Sequence, residues 1–153
     1  MSVVAQRPQF PLRQAEAIAA EQFGWVGQAV ELDGERDQNL CLTRADGSRA
    51  VLKIANPAES RAFLELQHAA LARLHNAGID RVPRVMTARH GGSLERVDGA
   101  AGPSLVCMVS WVHGRPLTRI RPHATELLAD LGGLLAQIDR AWPGLAAPAA
   151  QRR

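Results

Sequence analysis

The chain has 153 residues, 46% of them hydrophobic and 22% charged, with a formal net charge of +3. Length and composition predict one globular domain of ordinary size and exclude wholesale disorder. No apolar run is long enough to span a bilayer, and the start has no apolar core leading to a small-residue cleavage site. No membrane partner, no signal peptide and a cytoplasmic location are therefore expected.

Residues 12–23 read as a helix, with Pro11 suited to the first turn and Gly24 to the stop. Residues 26–32 form an apolar-rich strand, 33–38 a polar turn and 39–44 a second strand. Asp46-Gly47 is a hairpin turn leading into a third strand, RAVLKI, at 49–54. Asn56-Pro57-Ala58-Glu59 reads as a helix start with Asn56 as cap. The helix runs to about His75, with a stripe of Phe63, Leu66, Ala70 and Leu74 flanked by Leu71. Residues 82–87 are expected as an edge strand, because Pro83 cannot donate to a ladder. Residues 89–102 are polar and Gly-rich and read as a long loop or ragged hairpin, and 104–112 as a buried strand. Gly114 and Pro116 break it. A last helix, 124–142, gathers Leu127, Leu128, Leu131, Leu134, Leu135 and Ile138 on one face, and 143–153 is a low-complexity tail. The order gives an α+β fold with one antiparallel sheet and a helix inserted after the third strand.

The basic residues are 17 Arg and one Lys. The arginines are scattered, densest at Arg115, Arg119 and Arg121, and aromatics are only 4%. A nucleic-acid interface wants a concentrated basic stripe and stacking rings, so no nucleic-acid partner is expected. Cys41 and Cys107 are far apart in no C-x-x-C setting, which excludes a disulfide scaffold or zinc knuckle and leaves two buried small hydrophobes. His68 and His75 are seven apart, outside the spacing of a helical metal pair, and read as surface histidines.

Lys53 is the only lysine. On a strand it shares a face with Val51, while Leu52 and Ile54 share the other. An ammonium on a half-apolar strand either snorkels to water or has a partner. The stretches GERDQN (34–39), VLKIANPAE (51–59), FLELQHAAL (63–71), VPRV (82–85), SWVHGRPL (110–117) and LLADLGGLLAQIDRA (127–141) extend the pattern. In this order they resemble the start of the aminoglycoside phosphotransferase and choline kinase family, particularly its hydroxylysine-kinase-like members.

The resemblance implies a protein-kinase-like amino-terminal lobe at 1–114, with an antiparallel sheet of about five strands and an inserted helix. Residues 115–142 would be the linker and first helix of a second, missing lobe, and 143–153 a tail. It implies ATP with Mg as cofactor. Lys53 would meet the α- and β-phosphates, Val51 would roof the adenine, and the turn ending at Asn39 would lie over the phosphates. Asn39 and Asp37 serve equally as ordinary turn residues. The backbone of Ser110, Trp111 and Val112 would form the interlobe hinge that meets the adenine edge, although Trp111 also suits plain packing. The family's acid partner for Lys53 belongs on the inserted helix. The position expected for it holds Gln67, and Glu65 lies two residues earlier. Gln67 is within about 40° of the Phe63 stripe and Glu65 about 200° away. Both remain candidates.

The family's H-G-D-x-x-x-x-N loop and its later magnesium aspartate have no counterpart in the sequence. His113-Gly114-Arg115 has Arg where Asp is required, and Asp130 and Asp139 fall on the last helix. No catalytic or metal-ligating residue is assigned. The expectation is a truncated ATP-dependent small-molecule phosphotransferase, inactive alone. Its expected partners are nucleotide together with a second lobe, a fused chain, or another copy through helix 124–142. The alternative is a non-catalytic binding or regulatory module, or a decayed gene fragment, that keeps the fold.

Overall fold

The computed structural model describes residues 7–100 and 102–142. Three helices and five strands follow in the order α1 (Leu12–Phe23), β1 (Gln28–Leu32), β2 (Gln38–Thr43), β3 (Arg49–Ile54), α2 (Arg61–Asn76), β4 (Glu95–Gly99), β5 (Gly102–Ser110) and α3 (Thr125–Ala141). The strands form one antiparallel sheet in the order β1-β2-β3-β5-β4.

Period-two alternation divides the sheet into two faces. Ala50, Leu52 and Ile54 of β3 are fully buried and pack with Leu40, Leu42, Val106 and Met108 against Ala15, Ile18, Ala19 and Phe23 of α1. Burying each leucine or isoleucine here contributes about 1.5–3 kcal/mol. α1 ends as expected. Gly24 takes φ 65°, and the amides of Gly24 and Trp25 donate to the carbonyls of Ala20 and Ala19. The buried Gln38 ties the preceding segment to the sheet. Its Oε1 accepts from the Phe10 amide at 2.7 Å, and its Nε2 donates to the Phe10 carbonyl at 3.0 Å.

Residues 82–87 do not form the expected strand. They make a single bridge, Val85 to Val109, with Met86 N–H donating to the Met108 carbonyl and Ser110 N–H to the Arg84 carbonyl. The segment covers the edge of β5 beyond the point where β4 stops. The fifth strand lies within 89–102, where of the long loop and the ragged hairpin the hairpin forms, β4 pairing with β5. β4 reads ERVDG, and only Val97 of it is buried and apolar, so its pairing with β5 decides its conformation.

The start of α2 also differs. Ser60 is the cap, its Oγ accepting from the Phe63 amide at 3.2 Å. Asn56 is buried in the β3–α2 corner, where its Oδ1 accepts from the Ala58 amide at 2.9 Å. The buried positions of α2 are Leu64 and Leu74, whereas Phe63, Leu66 and Ala70 are half-buried. His68 and His75 are not surface groups. His68 Nδ1 lies 2.8 Å from Ser93 Oγ, and His75 Nε2 lies 3.2 Å from the Pro83 carbonyl.

α3 meets α2 and its following turn through an Arg73 guanidinium bond to the Ala141 carbonyl and an Arg81–Asp130 pair at 2.7 Å. None of its residues is buried. On its leucine face Leu128, Leu131 and Leu135 are exposed, while Leu127, Leu134 and Ile138 are half-buried. The expected tail at 143–153 lies outside the described residues.

Candidate nucleotide site on the open face of the sheet

Opposite α1, two rows of side chains cross the sheet. One joins Leu32, Asn39, Lys53 and Cys107, and the other Val30, Cys41, Val51 and Val109. Lys53 and Val51 therefore share a face, and register adds Asn39 beside Lys53. Leu64 of α2 packs with Cys107 and Leu94 over part of this face. In the second row Val30 is 63% exposed and Val51 half-buried, while Cys41 and Val109 are buried.

Lys53 Nζ stands 4.0 Å from Asp37 Oδ2, the two side chains being 33% and 24% exposed. Gln67 and His68 of α2 line the same small cavity as Lys53, Asp37 and Cys107. Glu65 does not. Its carboxylate is solvent-exposed and lies 3.6 Å from Arg61, one turn earlier. Of the two candidates, Gln67 faces the Lys53 cavity and Glu65 does not, because burial of Leu64 and Leu74 turns position 65 outward.

Burial first, and then the charge of Lys53, lowers the His68 pKa below its ordinary value, which keeps the ring neutral. Burial pushes the Cys107 thiol up to about 11, against a smaller opposing effect of Lys53. Lys53 is thus flanked by three neutral groups, Gln67, His68 and Cys107, and by one carboxylate.

The β1–β2 turn is built tightly around Gly34. A Cβ there would stand 2.5 Å from the Asp37 carbonyl oxygen and 2.8 Å from Asn39 Nδ2. Asn39 Oδ1 is buried with no hydrogen-bond partner among the described residues. At the end of β5, Ser110 is engaged twice by Arg84. Its amide donates to the Arg84 carbonyl and its Oγ accepts from the Arg84 amide, each at 2.8 Å. The Trp111 ring carries the Arg49 guanidinium 4.5 Å from its centroid, and Val112 is exposed.

The sequence reading missed Asp37 as the neighbour of Lys53. It also missed Val30 and Val109, which extend the Val51 row. The signal for the two valines was strand alternation, which register converts into one row. Among the described residues no three His, Cys, Asp or Glu side chains gather as metal ligands, and no helix is long and apolar enough to cross a membrane. The arrangement offers a cation beside a half-open apolar strip, which suits a flat apolar ring with an anionic tail.

The fold has solved counterparts. An amicoumacin kinase in complex with AMP-PNP, Ca2+ and Ami superposes with a TM-score of 0.74 at 18% identity, covering 94% of this chain and 44% of that one. A microcompartment-associated aminopropanol kinase gives 0.69 at 18% identity, with the same coverage. A spectinomycin phosphotransferase in complex with ADP and spectinomycin gives 0.68 at 12% identity, covering 94% and 40%. The hydroxylysine kinase of Danio rerio is 27% identical over 145 residues, 91% of this chain and 41% of that protein. The chain thus spans less than half the length of these relatives. The sequence profile of the phosphotransferase enzyme family, APH, matches residues 28–153, and the chain belongs to that family.

Proposed function

We propose that this chain carries the nucleotide-binding part of an ATP-dependent small-molecule phosphotransferase. The observation that carries the reading is the placing of Lys53 beside the half-buried Val51 and the exposed Val30 on one sheet face. In this reading the α- and β-phosphates meet Lys53 and the turn ending at Asn39. The adenine lies on Val51 and its row, and the backbone at Ser110, Trp111 and Val112 borders the adenine edge. A compact ammonium fixed on a strand is what phosphoryl transfer needs at that position, since its catalysis is mainly positioning and charge stabilisation. The nucleotides in the amicoumacin kinase and spectinomycin phosphotransferase structures support the assignment by likeness of fold.

Among the described residues no three His, Cys, Asp or Glu side chains gather, so in this reading magnesium would be held mainly by the nucleotide's own phosphates and would neutralise their charge. Residues 115–142 are read as the linker and first helix of a second lobe. Asp130, on α3, is paired with Arg81, and the sequence carries no H-G-D-x-x-x-x-N loop that would orient an acceptor hydroxyl. These 153 residues are therefore proposed to bind nucleotide without transferring phosphate. The acceptor class, a small-molecule alcohol, follows the names of the relatives. Two buried, unpaired thiols suit a reducing cytoplasm.

The experiment is calorimetric titration with Mg-ATP of the chain and of Lys53→Ala. Saturable binding that the substitution abolishes is expected. A folded chain with no affinity for Mg-ATP or Mg-GTP overturns the reading and favours the non-catalytic module.

A further inference from the structure

We propose that Asp37 is the positioning residue for Lys53: a carboxylate carried by the β1–β2 turn fixes the ammonium on the open face, where an anionic phosphate would meet it. The inference rests on the nucleotide reading above and adds the group that orients its cation.

The carboxylate is anchored at one oxygen and presents the other. Asp37 Oδ1 accepts from the Asn56 amide at 3.0 Å, while Oδ2 faces Lys53 Nζ at 4.0 Å. Asn56 is 1% exposed, so this anchor is part of the buried β3–α2 corner. The Asn56 side-chain Nδ2 donates to the Arg36 carbonyl at 3.4 Å, which ties the turn to the corner a second time. Among the described residues no other carboxylate is within ion-pair reach of Lys53. Glu65 pairs with Arg61, and Glu59 with Arg36 at 2.5 Å. The groups from α2 and β5 that face the ammonium are Gln67, His68 and Cys107, all neutral.

The geometry also leaves capacity for a ligand. An ammonium has three donors, and a single oxygen at 4.0 Å does not exhaust them. With both partners only a quarter to a third exposed, the pair is screened less than a surface pair, so it orders the four-carbon stem. Because the acid sits on the turn, the lysine is placed only when the turn is closed on the corner.

The test uses the 153-residue chain with Asp37→Asn, Gln67→Glu and the two combined. Asparagine keeps an oxygen for the Asn56 amide, so the turn is retained, and circular dichroism checks folding. Gln67→Glu supplies a carboxylate from the α2 side of the same cavity. Two readouts are taken: Mg-ATP affinity, and the order of the single lysine side chain from 13Cε relaxation. Asp37→Asn is expected to weaken affinity about two- to fivefold and to loosen the lysine. Adding Gln67→Glu is expected to recover most of both. Wild-type affinity and order in Asp37→Asn overturn the inference while leaving the nucleotide reading intact. A loss that Gln67→Glu does not recover overturns it too, since Asp37 then serves only the corner. A wild-type chain without nucleotide affinity overturns the nucleotide reading instead, and the lysine order alone then decides whether Asp37 holds Lys53.

Discussion

Gln67 and Glu65 leave α2 on different sides: Gln67 lines the cavity of Lys53, and Glu65 stands in solvent beside Arg61. Two residues along a helix is about 200° of rotation, so one helix cannot present both to the same strand. Leu64 and Leu74 choose the side by burial. α2 therefore offers Lys53 an amide, and the negative charge near the ammonium comes from a different element.

Glu65→Gln is accordingly expected to leave Mg-ATP affinity unchanged within about twofold. The substitution breaks only an exposed i,i+4 pair with Arg61, a contribution of about 0.3–0.5 kcal/mol. Titration calorimetry and urea unfolding check the two halves. A large loss of affinity would place Glu65 in the site after all.

Lys53→Arg is expected to behave like Lys53→Ala rather than like the parent. The guanidinium is planar and wider than an ammonium, and the cavity it would enter is already lined by Leu64, Gln67, His68 and Cys107. Affinity for Mg-ATP at least about tenfold below the parent is expected, with the fold retained. Parental affinity in Lys53→Arg would mean that charge without shape suffices.

Gly34→Ala tests the turn. A methyl group there meets backbone at 2.5 Å from the Asp37 carbonyl, and backbone cannot swing away as a side-chain tip can. The turn must open, which withdraws Asp37 from Lys53 and Asn39 from beneath Gly34. Nucleotide affinity is expected to fall more than stability, because the turn lies away from the buried cluster of Leu40, Leu52 and Ile54. Parallel calorimetry and thermal unfolding separate the two, and a drop in stability with unaltered affinity would contradict the arrangement.

The front of the chain was legible because its signals are local. Gly24 and Gly47 end and turn elements by their positive φ, and Val51-Leu52-Lys53-Ile54 alternates cleanly between two faces. β4 was legible only as one arm of a ragged hairpin, since ERVDG contains a single apolar anchor and becomes a strand only by pairing with β5. Residues 82–87 misled in the opposite sense. They are apolar enough for a strand, but β4 already occupies most of that edge of β5. Lys53 stood out in the site because it is the sole lysine. Asp37 did not, because an aspartate in a polar turn is ordinary, and its approach to Lys53 depends on the buried Asn56 corner, nineteen residues further on.

Cys107 gives a pH dependence with a definite sign. Burial raises its folded pKa to about 11, above the ordinary thiol value of 9.0. The unfolded chain therefore loses this proton first as pH rises, and the fold is penalised. Stability is expected to be complete below about pH 9, to fall between about pH 9 and 11, and then to level off. The loss is at most roughly 2–3 kcal/mol. Urea unfolding of the parent and of Cys107→Ala across that range isolates the effect, which the variant should lack. The same burial makes Cys107 slow toward iodoacetamide at pH 8 in the folded chain. Rapid labelling of Cys107 there would show that the strand is more open than its packing implies.

The leucines of α3 and those of the sheet should respond in opposite ways. Leu52 is fully buried against α1, and Leu52→Ala removes core contacts and leaves a cavity, at a cost of about 2–5 kcal/mol. Leu128, Leu131 and Leu135 are exposed on a helix whose described contacts run through Arg73 and Arg81. Exchanging all three for Gln is expected to change folding free energy by less than about 0.5 kcal/mol per site. The triple variant should also bind less of a hydrophobic dye and stay monomeric at concentrations where the parent associates, since contiguous exposed leucines form the kind of patch that seeks a cover. Sedimentation of both proteins over a concentration series reads this directly. A triple variant as destabilised as Leu52→Ala would mean that the α3 face is buried in solution.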